Sequence, residues 1–238
     1  MTSVLIRLEG PLQAWCTQLR LGIRDTDREP SKSGVLGLVG AALGMAREDG
    51  QTLGKLRSLS MSVRVDRSGT LLHDYHTAGG GHFRGRAYGV FDPDDHAGNT
   101  CVPSHRYYLQ DASFVVALSG DAALVAGIGD ALRSPRWALF LGRRACTPSV
   151  PPFMGLVDGD ARQAVRFAGL AERVARGPLR VVAEVPADQG GEPRYDVPLS
   201  FAEGDRRYGV RYVVTEWTEV PPAEGAAAPG AGVPEDEV

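Results

Sequence analysis

The 238-residue chain carries three cysteines, Cys16, Cys101 and Cys146, far apart and with no C-x-x-C pair. Neither a disulfide framework nor a zinc ribbon fits that pattern, and buried or incidental thiols are expected. No apolar run approaches the roughly 18–20 residues of a membrane span. Arg7 and Glu9 follow Met1 too closely for a secretory leader, so a cytoplasmic location without membrane association is expected. Lysine is almost absent: Lys32 and Lys55 are the only two, and the other bases are arginine. Arginine suits bidentate phosphate contact and stacking on bases. No P-loop, no G-x-G-x-x-G at a strand–helix junction and no G-x-S-x-G occurs, which excludes the nucleotide-binding and hydrolase classes those motifs serve. The segment 221–238 has acids and no base, and its Pro, Ala, Gly and acid content is that of a disordered tail without a role in RNA binding. Without that tail the formal charge of −3 becomes nearly neutral, so any nucleic-acid surface must be a local patch.

The periodic segments that are present define an α+β chain. Residues 3–8 read as a strand that stops at Gly10-Pro11. Residues 18–32 are polar, place Arg20, Arg24, Arg28 and Lys32 four apart, and contain Pro30, which argues for a loop. Ser31 or Ser33 then caps a helix whose glycines at 34, 37, 40 and 44 each cost about 1 kcal/mol of helix propensity, a pattern that signals close packing of the backbone. Residues 61–66 alternate as a second strand, Ser68-Gly69 is a tight turn, residues 112–118 form a third strand, and Asp121 caps a second long helix. Residues 137–141 are expected to be the fourth strand, ending in Gly142-Arg143-Arg144. The order β-α-β-(insertion)-β-α-β is that of a ferredoxin-like (RRM-like) domain, βαββαβ, covering residues 1–147. Residues 148–220 read as a helix near 160–175 and a small antiparallel sheet, a separate β-rich region.

The insertion, residues 73–110, holds all five histidines: His73, His76, His82, His96 and His105. Their spacing matches no zinc pattern, so no metal or other cofactor is expected. His76, His105, Tyr75, Tyr107 and Tyr108 allow two readings. One is a metal-independent acid/base pair that cleaves RNA through its own 2′-hydroxyl; the other is a surface that stacks on and orients single-stranded bases without reaction. Two further features point to phosphate. Residues 131–157 hold no acid but hold Arg133, Arg136, Arg143 and Arg144, and the helix N-terminus at Lys32 and Ser33 offers free amides.

Several segments together resemble a known family. They are Leu8-Glu-Gly-Pro-Leu-Gln-Ala-Trp15, the Pro30-Ser-Lys-Ser-Gly-Val-Leu-Gly-Leu-Val-Gly-Ala run, Asp74-Tyr-His-Thr, Arg106-Tyr-Tyr-Leu-Gln-Asp-Ala-Ser-Phe, and Phe140-Leu-Gly-Arg-Arg-Ala-Cys-Thr-Pro-Ser. Over about residues 1–157 the chain is similar to the CasD ("Cas five") family of type I-E CRISPR Cascade subunits. The resemblance implies a ferredoxin-like fold of the repeat-associated RNA-binding (RAMP) superfamily, with residues 73–110 as a projecting thumb. It implies a non-catalytic antiviral subunit that grips the 5′ handle of the CRISPR RNA (crRNA). It further implies contacts with the large PAM-reading subunit (CasA) and the backbone subunit (CasC), and with target DNA only through the complex. A relative in type I-C systems cleaves the repeat, which keeps a metal-independent endoribonuclease as the alternative. Matched onto this chain, the handle contacts implied are Gln13 and Trp15; Arg24, Arg28, Lys32 and Ser33; Tyr75, His76, Arg106 and Tyr107 at the base of the thumb; and Arg143 and Arg144.

Overall fold

Val4, Ile6 and Leu8 alternate with Ser3, Leu5 and Arg7, and this segment forms the first strand, β1 (Thr2–Glu9). In the computed structural model, which describes residues 1–15, 22–80, 82–83, 86–87, 101–171 and 177–219, β1 lies within a seven-stranded sheet. The chain then builds α1 (Lys32–Leu43), α2 (Gly50–Arg57) and β2 (Ser60–Arg67). A long hairpin follows, β3 (Thr70–Ala78) and β4 (Val102–Gln110). The remaining elements are β5 (Ser113–Gly120), α3 (Ala122–Arg133), β6 (Phe153–Asp158), α4 (Ala161–Phe167), β7 (Leu179–Val185), β8 (Glu192–Ser200) and β9 (Arg207–Thr218). Strand order in the sheet is β6-β1-β5-β2-β7-β9-β8. All its pairings are antiparallel.

The helix caps follow the side chains expected of them. Ser31 Oγ accepts from Gly34 N at 3.3 Å, and Asp121 Oδ1 accepts from Leu124 N at 2.9 Å, each satisfying an amide that the first helical turn leaves open. One face of the sheet packs on α1 and α3 through Ile6, Leu8, Leu36, Val39, Phe114, Leu118 and Ile128. The opposite face is covered at its centre by the short α4, which closes on small residues, Ala117, Ala161, Ala164 and Ala183, with Leu5 and Val181. Central β5 is buried on both faces and so reads as a continuous apolar run rather than an alternation.

Three expectations change. The segment 137–141 is not a strand. Its start is drawn to the end of α1, where Arg136 N donates to Ala42 O at 2.9 Å and Trp137 N to Ala41 O at 3.2 Å. Helix C-terminal carbonyls lack intrahelical partners, and this segment supplies them. The strand that follows α3 is instead β6, at the sheet edge beside β1. Second, residues 73–110 are not patternless at their ends: β3 and β4 form an uninterrupted ladder from Thr70↔Gln110 to Ala78↔Val102. Third, the C-terminal strands do not make a separate small sheet. β7 pairs with β2 between Arg180↔Val65 and Ala183↔Ser62, so sequence on both sides of residue 148 shares one sheet. Cys101 and Cys146 are free thiols. Cys16, Arg20, His96 and the tail 221–238 lie outside the described residues.

Arg64, at the centre of β2, is fully buried under α4. Its Nε and Nη2 donate to Asp66 at 2.6 and 3.0 Å, and its Nη1 to the carbonyls of Val165 and Ala168 at 2.8 and 2.7 Å. Removing one partner strands the other charge in the interior. Arg64→Met should therefore cost roughly 3–5 kcal/mol in urea unfolding. Arg207→Ala, which breaks the exposed pair with Asp205, should cost no more than about 1 kcal/mol. Equal midpoints for the two variants would contradict this division.

Candidate nucleic-acid interface

Helix α1 has two faces. Val35, Leu36, Val39 and Ala42 enter the core, while Gly34, Gly37 and Ala41 form a stripe that stays partly open. Over that stripe run two adjoining cavities, of about 380 and 410 Å³, which share Gly37, Ala41, Arg47, Phe201 and Arg206. Trp137 and Phe140 come from the irregular segment after α3, Phe201 and Arg206 from the β8–β9 turn, and Tyr208 from the start of β9. Arg143 lines the first cavity and Arg144 the second. No acidic residue lines either one, and Arg47, Arg144 and Arg206 carry no ion pair among the described residues. Unpaired guanidiniums beside partly exposed aromatic rings are what a single strand of nucleic acid requires: cations for phosphates and flat surfaces for bases.

The sequence-derived residues divide between this groove, its supports and the hairpin. Gln13 and Trp15 are buried supports. Gln13 Nε2 donates to the carbonyls of Leu8 and Ala112 at 3.0 and 2.8 Å, and its Oε1 accepts from Trp15 Nε1 at 3.0 Å. Lys32 is also enclosed, with Nζ 2.9 Å from both oxygens of Glu184. Burial pushes its ammonium below the ordinary lysine range, and the Glu184 carboxylate opposes that shift. The α1 N-terminus, expected to offer amides to a phosphate, is already satisfied: Lys32 N donates to Asp196 Oδ2 at 2.8 Å. Ser33 is buried beside Ser31, Oγ to Oγ 3.3 Å. Arg24 and Arg28 are exposed.

Gly142 turns with φ of 89°, and a Cβ there would stand 1.7 Å from the carbonyl oxygen of Ala14, so only glycine fits. This turn sends the next two arginines different ways. Arg143 reaches inward, donating to the carbonyls of Tyr107, Arg24 and Asp25 at 3.1, 2.6 and 2.9 Å, and lies over the Tyr108 ring. It is a clamp between the hairpin base and the segment at Arg24. Arg144 is exposed and reaches the second cavity.

On the hairpin, the register places His73, Tyr75, His105 and Tyr107 on one face and Asp74, His76, Ser104 and Arg106 on the other. The first group forms a ladder of rings. His73 Nε2 lies 2.9 Å from His105 Nδ1, and the His73 ring stacks on His105 and Tyr107 at 5.1 and 4.7 Å. Thus Tyr75 and Tyr107 share a face, while His76 and Arg106 look away from them. His76 and His105, the pair considered for acid/base chemistry, stand on opposite faces and cannot meet at one phosphodiester. His73 and His76 are divided in the same way, and no cluster of three metal-ligating side chains occurs among the described residues.

Beside the α1 N-terminus lies a cavity of different character, lined by Asp27, Glu29, Arg194, Asp196 and Arg211. Here partial burial, then the Asp196 charge, raises the Asp27 carboxyl to about 6.

Comparison with known proteins identifies the family. A family model described as CRISPR-associated protein (Cas_Cas5) matches residues 3–214. The chain belongs to this CRISPR-associated family. It is 36% identical over 167 residues to the "CRISPR system Cascade subunit CasD" of Escherichia coli (strain K12), covering 64% of this chain and 70% of that protein. A solved chain titled "CRISPR RNA-guided surveillance complex" superposes with a TM-score of 0.76 at 36% identity, over 96% of this chain and 95% of that one. Another, titled "Crystal structure of Cas protein", gives 0.67 at 35% identity, over 92% and 100%. Among the described residues, no helix of this family member is long and apolar enough to cross a membrane.

Arg47, Trp137, Phe140, Phe201, Arg206 and Tyr208 do not stand out in the sequence, because they converge from three distant segments. Gly37 has open space beside it, but so do the helical glycines Gly54 and Gly127, so it does not mark the site by itself.

Two outcomes follow. Arg143→Ala should lower the melting temperature, because three carbonyls lose their donor, whereas Arg144→Ala should leave it unchanged; equal melting of both would contradict the division of roles. Because the folded Asp27 carboxyl titrates above its unfolded value of 3.8, its ionisation opposes folding, and its contribution falls as pH rises from about 4 to 6. Asp27→Asn should stabilise the protein most above pH 6 and progressively less below it, as read by thermal melts across that range.

Proposed function

We propose that this chain is a non-catalytic subunit of a type I-E CRISPR RNA-guided surveillance complex (Cascade) in antiviral defence. In this reading it holds the repeat-derived 5′ handle of the crRNA, caps the backbone filament and stands next to the large PAM-recognising subunit CasA. The backbone subunit CasC and, through the complex, target DNA are its other partners, and the cytoplasm is its compartment. The β6-β1-β5-β2 order with two helices on one face supports a ferredoxin-like domain, and the β3–β4 hairpin is its thumb. The likeness to a Cascade subunit and to a chain of a surveillance complex supports the assembly.

The observation that carries the RNA reading is the acid-free groove over α1, with arginines and aromatic rings facing it. Arg47, Arg144 and Arg206 would take phosphates, and Trp137, Phe140 and Tyr208 would meet bases. Gln13, Trp15, Lys32 and Ser33 act beneath it as supports, while Arg24, Arg28, Tyr75, His76, Arg106 and Tyr107 offer contacts outside it. Against the endoribonuclease alternative stand the opposed faces of His76 and His105. The direct contact of His73 with His105 likewise leaves no room for a phosphate between them.

Two experiments on the full chain test this reading. Arg47→Ala with Arg206→Ala should weaken binding of a single-stranded RNA carrying the handle. The slope of log affinity against log salt should become shallower by about 1.4, near 0.7 for each phosphate that is no longer neutralised. Unchanged affinity and slope in the folded variant would refute the groove assignment. The same RNA should stay intact for hours with EDTA or with divalent metal; cleavage at one site, abolished in His76→Ala with His105→Ala, would establish the enzyme instead.

A further inference from the structure

We propose that the cavity between Trp137 and Phe201, floored by Gly37, is a pocket for a single unstacked nucleobase. This rests on the RNA-binding reading above and adds to it a defined subsite. The cavity measures about 410 Å³, within the size range of small-ligand sites, and its apolar surfaces are Trp137, Phe201, Met45 and Ala41. Arg47, Arg144 and Arg206 complete its lining. Every charged group there is a hydrogen-bond donor, so the pocket suits a base that presents acceptor atoms, with phosphates on either side.

Gly37 is the lining position where a side chain would enter the cavity. A glycine inside a helix costs about 1 kcal/mol relative to alanine. At Gly40 packing explains it, because a Cβ would stand 2.7 Å from the Met45 methyl. At Gly37 packing explains nothing: a Cβ there would meet no atom within 4 Å. The fold would accept alanine at that position. What glycine leaves is open space on the lining of a cavity that Trp137 and Phe201 also line. Trp137 is 49% exposed, yet its backbone is fixed, since its N–H donates to Ala41 O and the preceding N–H to Ala42 O. A large ring on a fixed stretch of backbone, half exposed at the edge of an open cavity, offers a face on which a base can stack.

The test uses the full chain, thermal melts, and fluorescence anisotropy with a single-stranded RNA carrying the handle, together with a series in which each nucleotide in turn is abasic. Gly37→Ala should melt at or above the wild-type temperature, because helix propensity improves. Gly37→Leu, which fills the floor, and Trp137→Ala should each weaken RNA binding about 5- to 150-fold, the effect of unstacking one base. One abasic position should show the same weakening with wild type and no additional weakening with Trp137→Ala. Abasic effects that simply add to that of Trp137→Ala at every position would overturn the proposal, as would wild-type affinity in folded Gly37→Leu. If those results appear while Arg47→Ala with Arg206→Ala still weakens binding, the base pocket falls and the groove stands. If the arginine variant is also silent, the RNA-binding reading falls with it.

Discussion

Asp196 ties the first helix to the C-terminal hairpin, and the groove exists because of that tie. Its Oδ2 accepts from the Lys32 amide at 2.8 Å, at the positive end of α1, and both its oxygens accept from Arg211 on β9, at 2.6 and 2.8 Å. Glu184 on β7 continues the network by accepting from Lys32 Nζ and from the Met61 amide. Asp196, Lys32 and Arg211 are all buried, so these charges are held by each other rather than by water. The β8–β9 turn, with Phe201 and Arg206, and Tyr208 at the start of β9 are thereby fixed above the glycine stripe. Without this anchor one wall of the groove would have no defined position, and the arginines on it would have no common direction.

The arginines show why charge counts alone say little about a nucleic-acid surface. Arg64, Arg143 and Arg211 spend their donors on carboxylates and backbone carbonyls. Arg47, Arg144 and Arg206 line open cavities without an ionic partner among the described residues. Adjacent residues fall into different classes: the Gly142 turn sends Arg143 into the structure and Arg144 out of it. The body is nearly neutral, and the proposed RNA surface depends on this sorting rather than on net charge.

Strands with one clear period and helices with a capping side chain are legible in the sequence. β1, β2 and β5 carry compact β-branched runs, and Ser31 and Asp121 mark their helices. The fourth strand is not, because residues 137–141 are as apolar as a strand, while the true one follows Pro151-Pro152 and is interrupted by Gly155. Only the competition for the α1 carbonyls decides between them, and that is a tertiary fact. The β3–β4 ladder is hidden for another reason. Most of its residues are exposed, so rings, histidines and charges occupy both faces and no apolar alternation is imposed. Of the site, Arg144 is visible as part of an acid-free window, but its partners on the β8–β9 turn lie some sixty residues later. Gln13, Trp15 and Lys32 belong to motifs shared with the family, and the structure places them under the surface rather than on it.

Photo-cross-linking addresses the central claim most directly. The full chain would be irradiated with a single-stranded handle RNA carrying 4-thiouridine at successive positions, and the modified peptides mapped by mass spectrometry. The account predicts adducts in the segments 137–144 and 201–208, on the two walls of the groove. Adducts confined to the opposite side of the sheet, on α4 around Arg162 and Arg166, would contradict it.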